Sequence, residues 1–202
     1  MVDIDLIKRC QAREPDAFDR LYKLYATKTL RTAYLIIGHQ VAAEDAMQEA
    51  FFECYRDLVT LQKPELFRVW FHRLLVRICW RIAAKERKSA CENLDKLDDK
   101  TIADSLDITD IAEKNQIGHV IKEIIMKLEK THRATMILYY YNDMTINEIA
   151  QIMSCTPGTV KSRLHNGKKK LAHGLKKELG DISDETGYLG KELDRDEKRS
   201  TI

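Results

Sequence analysis

The sequence predicts an all-α protein made of two small helical domains joined by an acidic linker, the C-terminal one a helix-turn-helix domain. Three observations predict this. The 202 residues include only three prolines and eight glycines, and long stretches repeat apolar residues at i, i+3, i+4 and i+7, the period of an amphipathic helix. No alternating β-branched run bounded by turn residues stands out, so little or no sheet is expected. Charge is also segregated: residues 89–118 carry eight acids against three bases, and residues 178–202 carry eight against four. The rest of the chain therefore carries +11 within an overall net charge of +2. A basic body with acidic connecting and tail segments suits a polyanionic partner.

A chain of this length holds one large domain or two of roughly 80–100 residues. The shift in composition places an N-terminal domain at residues 1–88, a linker at 89–116, a second domain at 117–178 and a mobile tail at 179–202.

In the first domain, "EPDAFDRLYKLYATKTLRTAYLIIG" predicts a helix begun near Pro15, with Phe18, Leu21, Tyr22 and Tyr25 on one face. The pattern continues through Leu30, Ala33, Tyr34 and Ile37 to a stop at Gly38, with room for a break at residues 27–29. The next helix, "VAAEDAMQEAFFECYRDLV", buries Ala43, Met47, Ala50, Phe51, Cys54 and Leu58. Opposite them lie Asp45, Gln48, Glu49 and Phe52. An aromatic ring set among acids and amides is a docking feature rather than a solvated surface.

"LFRVWFHRLLVRICWRIAAKERK" then turns Leu74, Leu75, Ile78 and Ile82 inward. Arg73, Arg77, Arg81 and Lys85 fall four apart and form a ridge. Like charges at that spacing cost a few tenths of a kcal/mol per pair, and phosphates would neutralise them. Trp70, Phe71 and Trp80 are interleaved with the ridge. Two readings stand: flat surfaces for an unstacked base, or core aromatics beside solvated arginines.

The second domain begins with stripes at Val120, Ile124, Ile125 and Leu128, and at Met136, Ile137, Tyr140 and Tyr141. "TINEIAQIMSCTPGTVKSRLHNGKKKL" holds the most specific signal. Thr145 and Glu148 have capping-box spacing, which starts a helix at Ile146 with Ile149, Ala150 and Met153 beneath it. Ser154 and Cys155 form a tight connection, and Thr156 with Pro157 starts a second helix. Val160, Leu164, Leu171 and Leu175 face inward there, while Lys161, Ser162, His165 and Lys168 point away with Arg163 on a flank. Two short helices about a three-residue turn describe a helix-turn-helix, whose second helix enters the major groove of DNA.

Other chemistry finds no footing. Cys10, Cys54, Cys79, Cys91 and Cys155 form no CxxC pair and have no histidine at zinc spacing. His39, His72, His119, His132, His165 and His173 are scattered without a carboxylate or cysteine set. No catalytic residue, metal ligand, cofactor or small-molecule substrate is expected. The N-terminus lacks a signal-peptide core and no apolar run reaches the ~20 residues of a membrane span, so a cytoplasmic protein is expected.

Taken together, "AEDAMQEAFFECYR", "FRVWFHRLLVRICWRIAAKERK" and "LEKTHRATMILYYYNDMTINEIAQIMSCTPGTVKSRLHNGKKKL" occur in an order that resembles bacterial RNA polymerase sigma factors of the extracytoplasmic-function (ECF) group. The resemblance covers roughly residues 5–178 and implies a promoter-specificity subunit without catalysis of its own. It implies that Asp45, Gln48, Glu49 and Phe52 dock on the clamp helices of the polymerase largest subunit, with further contact to the flap of the second-largest. It implies that Trp70, Arg73, Arg77, Trp80, Arg81 and Lys85 handle the promoter −10 element. It assigns the −35 element to Thr156, Thr159, Lys161, Ser162, Arg163, His165, Lys168 and Lys169, and adds an anti-sigma factor as regulator. Arg77, Ser154 and Asn166 depart from residues common in the family, Asn, Gly and a basic residue respectively. A stand-alone helix-turn-helix regulator binding palindromic operators is the alternative reading.

Overall fold

The computed structural model describes residues 3–92 and 116–179. Within them the elements are helical: α1 (Ile4–Gln11), α2 (Ala17–Ile37), α3 (Gln40–Asp57), α4 (Phe67–Glu92), α5 (Gln116–Met126), α6 (Lys130–Met136), α7 (Ile146–Ile152) and α8 (Pro157–Leu179). Short 3-10 turns at Leu58–Thr60 and Pro64–Leu66 lead from α3 into α4. Most of the expected linker, and the expected tail, lie outside the described residues. The N-terminal edge of that linker is helical, because α4 runs on to Glu92.

The first four helices form a bundle. The expected stripe on α3 is buried throughout, from Ala43 and Met47 to Cys54 and Leu58. Phe51, Phe67 and Phe71 stack and tilt against one another with ring centroids 5.3–5.5 Å apart. Burial pushes the Cys54 and Cys79 thiols up to about 12, so both stay protonated and act as small apolar side chains. The break expected at residues 27–29 does not occur. Helix α2 is continuous, and its buried Thr32, 0 % exposed, satisfies its hydroxyl within the helix by donating to the Lys28 carbonyl at 2.8 Å. Gly38 ends it with φ +112°, the left-handed geometry that favours glycine.

In the second half, α6 runs into a π-helical turn at Ile137–Tyr141. The wider turn rotates the following side chains out of α-helical phase. Leu138 is therefore fully buried and Tyr140 is 46 % exposed, against the stripe expected from a regular helix. Helix α8 lies close to both α5 and α6. A β-carbon at Gly174 would stand 2.7 Å from Ile124, and one at Gly167 would stand 2.8 Å from Met136. The buried apolar cluster runs without interruption from α1 into α8, so the two halves share a core.

Candidate nucleic-acid interface and docking face

The helix-turn-helix forms as its caps dictate. Thr145 accepts from the Glu148 N–H, and Glu148 returns to the Thr145 N–H at 2.8 Å, a closed capping box worth about 1 kcal/mol. At the start of α8, Thr156 Oγ1 accepts from the Thr159 N–H at 3.1 Å and lies 2.9 Å from the Thr159 hydroxyl. Both threonines are thus engaged in starting the helix. Val160, Leu164 and Leu175 anchor α8, while Ile152 rather than Met153 completes the buried side of α7. Ser154 turns the chain at φ +49°, a left-handed geometry that costs a non-glycine residue on the order of 1 kcal/mol.

Lys161, Ser162, His165 and Lys169 stand exposed along α8. Arg163 leans back with its guanidinium 3.7 Å from Cys155 Sγ, bracing the turn. Lys168 is half-buried with its ammonium 5.8 Å from the centre of the Tyr140 ring. The resulting face is basic, polar and exposed to solvent along one side of α8.

On α3, Asp45 and Gln48 are exposed and Phe52 is 66 % exposed. The same stripe continues through Tyr55 at 51 % and Val59 at 49 %, beyond the residues expected from the sequence. The spacing 52, 55, 59 carries that signal, since it repeats the helical period of the acidic stretch before it. Arg13 lies 4.2 Å over the Tyr55 ring and Phe18 meets it edge-on at 5.0 Å, so the aromatic patch is held rigid.

The arginine ridge on α4 differs from expectation in two respects. Its charge is compensated within the chain: Arg77 pairs with Glu53 at 2.7 Å, and Arg81 pairs with Glu49. Glu49, expected on the docking face, is therefore paired with α4, and it is half-buried. Arg73 donates to the Gln151 carbonyl at the end of α7. Lys85 is exposed. Phe71 is 1 % exposed and belongs to the core, which removes it as a stacking surface. Trp70 and Trp80 are half-buried, and Lys130 of α6 lies 5.5 Å from the Trp80 ring.

A polar cluster that no sequence pattern announces joins the two halves. Asn142, 0 % exposed, lies at hydrogen-bond distance from Thr32 and His72, 3.2 Å in each case. Arg68 donates to the Asn142 carbonyl and, at 2.9 Å, to the Asp143 carbonyl. His72 Nδ1 donates to the Arg68 carbonyl at 2.8 Å. Its Nε2 faces the Asn142 Oδ1, an acceptor, while the Asn142 NH2 donates to Thr32 Oγ1 and to the Ile137 carbonyl. Burial, with the Arg68 and Lys28 cations nearby, holds His72 below the ordinary imidazole range, outweighing its hydrogen bonds.

Among the described residues, no group of three His, Cys, Asp or Glu side chains is placed to hold a metal ion. No described helix is long and apolar enough to cross a membrane. What the fold does define is a helix-turn-helix reader mounted on a helical bundle.

Comparison with known proteins agrees with that class and narrows it. Residues 119–171 match the family described as Sigma-70, region 4. Over 184 residues the chain is 26% identical to the ECF RNA polymerase sigma factor SigW of Bacillus subtilis (strain 168), covering 87% of this chain and 96% of that protein. The fold is similar to that of CnrH in complex with the cytosolic domain of CnrY, with a TM-score of 0.66 at 16% identity, covering 88% of this chain and 99% of that one. It is also similar to the sigma factor RpoE of Bartonella quintana in complex with the anti-sigma factor NepR, at TM-score 0.58 and 20% identity, over 80% and 98% of the two chains. Over most of its length the chain is similar to ECF sigma factors of RNA polymerase, and residues 119–171 match the region 4 family.

Proposed function

We propose that this protein is an alternative sigma factor that works in the cytoplasm, binds core RNA polymerase and directs it to promoters through a −35 and a −10 element. The observation that carries the reading is the co-occurrence, in one chain, of a supported basic recognition face on α8 and a rigid aromatic-acidic stripe on α3. A stand-alone operator-binding regulator would need the first and would use the second only to dimerise on a palindromic site. In this reading Asp45, Gln48 and Phe52, extended by Tyr55 and Val59, meet the clamp helices of the largest polymerase subunit, and α8 meets the flap and the −35 duplex.

Thr156, Thr159, Lys161, Ser162, Arg163, His165, Lys168 and Lys169 divide by role. Lys161, Ser162 and His165 face outward as base readers. Thr156, Thr159 and Arg163 hold the start of α8 in place, and Lys168 and Lys169 address phosphates. On α4, Arg73, Arg77, Arg81 and Lys85 with Trp70 and Trp80 form the −10 surface, which becomes available when the acids and carbonyls that hold the arginines let go. The protein contributes specificity to the polymerase and supplies no chemistry of its own. An anti-sigma factor covering these same faces would keep it inactive; the similar RpoE is itself found bound to the anti-sigma factor NepR.

Core binding tests the docking face. Asp45→Lys combined with Phe52→Ala leaves the Arg81–Glu49 pair intact, because neither residue takes part in it. We expect affinity for purified core polymerase to fall by at least tenfold, measured by fluorescence anisotropy of the labelled factor. Unchanged affinity would remove core docking from this face.

A further inference from the structure

We infer that Arg13 is a further contact residue of the docking face on α3: it gives that face a positive pole opposite Asp45 and fixes the direction in which a partner helix lies along it. The inference rests on the core-docking reading above and adds the residue that sets the partner's orientation.

Arg13 lies in the turn between α1 and α2 at φ +58°, a left-handed geometry that favours glycine. A large side chain in that geometry is strained, and it persists only where the surroundings fix it. Here they do. The Arg13 N–H donates to the Cys10 carbonyl at 3.1 Å, and the Glu14 N–H donates to the Arg9 carbonyl at 3.1 Å. Beside it, the Gln11 amide donates to the Leu58 carbonyl at 3.0 Å and to the Leu61 carbonyl at 2.7 Å, both just past the end of α3. The turn is thereby fastened to the C-terminal end of α3. From it the Arg13 guanidinium reaches over the Tyr55 ring at 4.2 Å and donates to the Arg56 carbonyl at 3.5 Å. That carbonyl is among the last of α3, which have no partner within the helix.

The acids nearby are engaged elsewhere. Glu14 pairs with Arg9 at 2.7 Å, and Asp57 pairs with Arg56 at 2.7 Å. Further back along α3, Glu53 pairs with Arg77 and Glu49 with Arg81. Among the described residues neither Arg13 nor Asp45 has an ion-pair partner, and both are exposed. Asp45 and Tyr55 are ten residues apart, which is about 15 Å along a helix. The face therefore carries an acid at one end, a cation over an aromatic ring at the other, and Phe52, 66 % exposed, between them. The complementary surface is a helix with a base opposite Asp45 and an acid about three turns away opposite Arg13. Laid the other way, that helix sets like charges against each other at both ends. Asp45 alone does not distinguish the two directions.

Unlabelled full-length variants, competing with labelled wild-type factor for purified core polymerase, test this by fluorescence anisotropy, with thermal melting of each variant alongside. Arg13→Gly removes the cation and relieves the turn. It should keep the melting temperature within about 2 °C of wild type. It should still weaken core binding by about fivefold, an effect that shrinks as salt rises. Arg13→Lys retains the charge and should bind within about twofold of wild type. Arg13→Glu reverses the pole and should weaken binding by about twentyfold. A purely structural turn residue would instead show losses that follow the melting temperature, equal for all three substitutions and indifferent to salt; that result would overturn the inference. So would unchanged affinity in Arg13→Gly and Arg13→Glu while Asp45→Lys combined with Phe52→Ala still weakens binding, and it would leave the docking reading in place. Failure of the wild type to bind core would overturn the docking reading and the inference with it.

Discussion

At the scale of single residues, the described structure is governed by who partners the polar groups. Thr32, His72 and Asn142 are buried together, and each is satisfied by the others or by a nearby carbonyl. None of this is visible in the sequence, because the three positions are separated by up to 110 residues and no periodic pattern links them. His72 gives the cluster a pH dependence whose sign can be worked out. Burial and the cations of Arg68 and Lys28 disfavour its protonation, against the pull of Asn142 and the Arg68 carbonyl, while Asp143 and Glu148 temper those cations from the other half. The folded form therefore binds fewer protons than the unfolded chain. The contribution of His72 to the stability of the fold is fully present above the ordinary imidazole value of about 6.5 and is lost as pH falls below it through the depressed value. A proton NMR titration should find His72 titrating below that ordinary value in the free protein. Titration at or above it would mean that protonation of His72 does not destabilise the fold.

At the scale of elements, most of the structure is legible in the sequence. Capping box, Thr-Pro start and apolar spacing locate α7 and α8, and the α3 stripe is buried at every position its spacing names. Legibility ends where an element departs from ideal geometry or meets a distant one. The π-turn at Ile137–Tyr141 puts Leu138 inside and Tyr140 outside, because a regular period cannot anticipate an inserted residue. The arginine ridge looks uncompensated in the sequence because Glu49 and Glu53 lie on another helix, and spacing reports only neighbours on the same one. The proposed function divides the outward residues of α8 into readers and clamps, and that division can be measured. Lys161→Ala should relax base preference within the −35 element, costing about 1–3 kcal/mol on the preferred sequence. Lys169→Ala should instead weaken binding evenly across sequences and reduce the salt slope by about one. Binding of fluorescent −35 duplexes to the polymerase-bound factor over a range of salt concentrations distinguishes the two. Equal effects of both substitutions on every sequence would remove Lys161 from the readers.

At the scale of the whole molecule, the fold class follows from composition and period, whereas the contact between the halves does not. The continuous core and the cluster at Asn142 join two units that the sequence presents as separate. An exposed basic face on α8, an exposed aromatic-acidic stripe on α3 and an arginine ridge on α4 held by internal partners support the proposed reading of a factor that reads DNA for a larger machine. In vitro transcription tests that description most directly. Purified core polymerase and this protein are combined on a genomic promoter library, and transcript starts are mapped. The expected result is a small set of promoters sharing a −35 and a −10 element, transcribed only when the factor is present and lost with Asp45→Lys combined with Phe52→Ala. Tight binding of the protein alone to palindromic duplexes, with no factor-dependent transcript, would contradict the account.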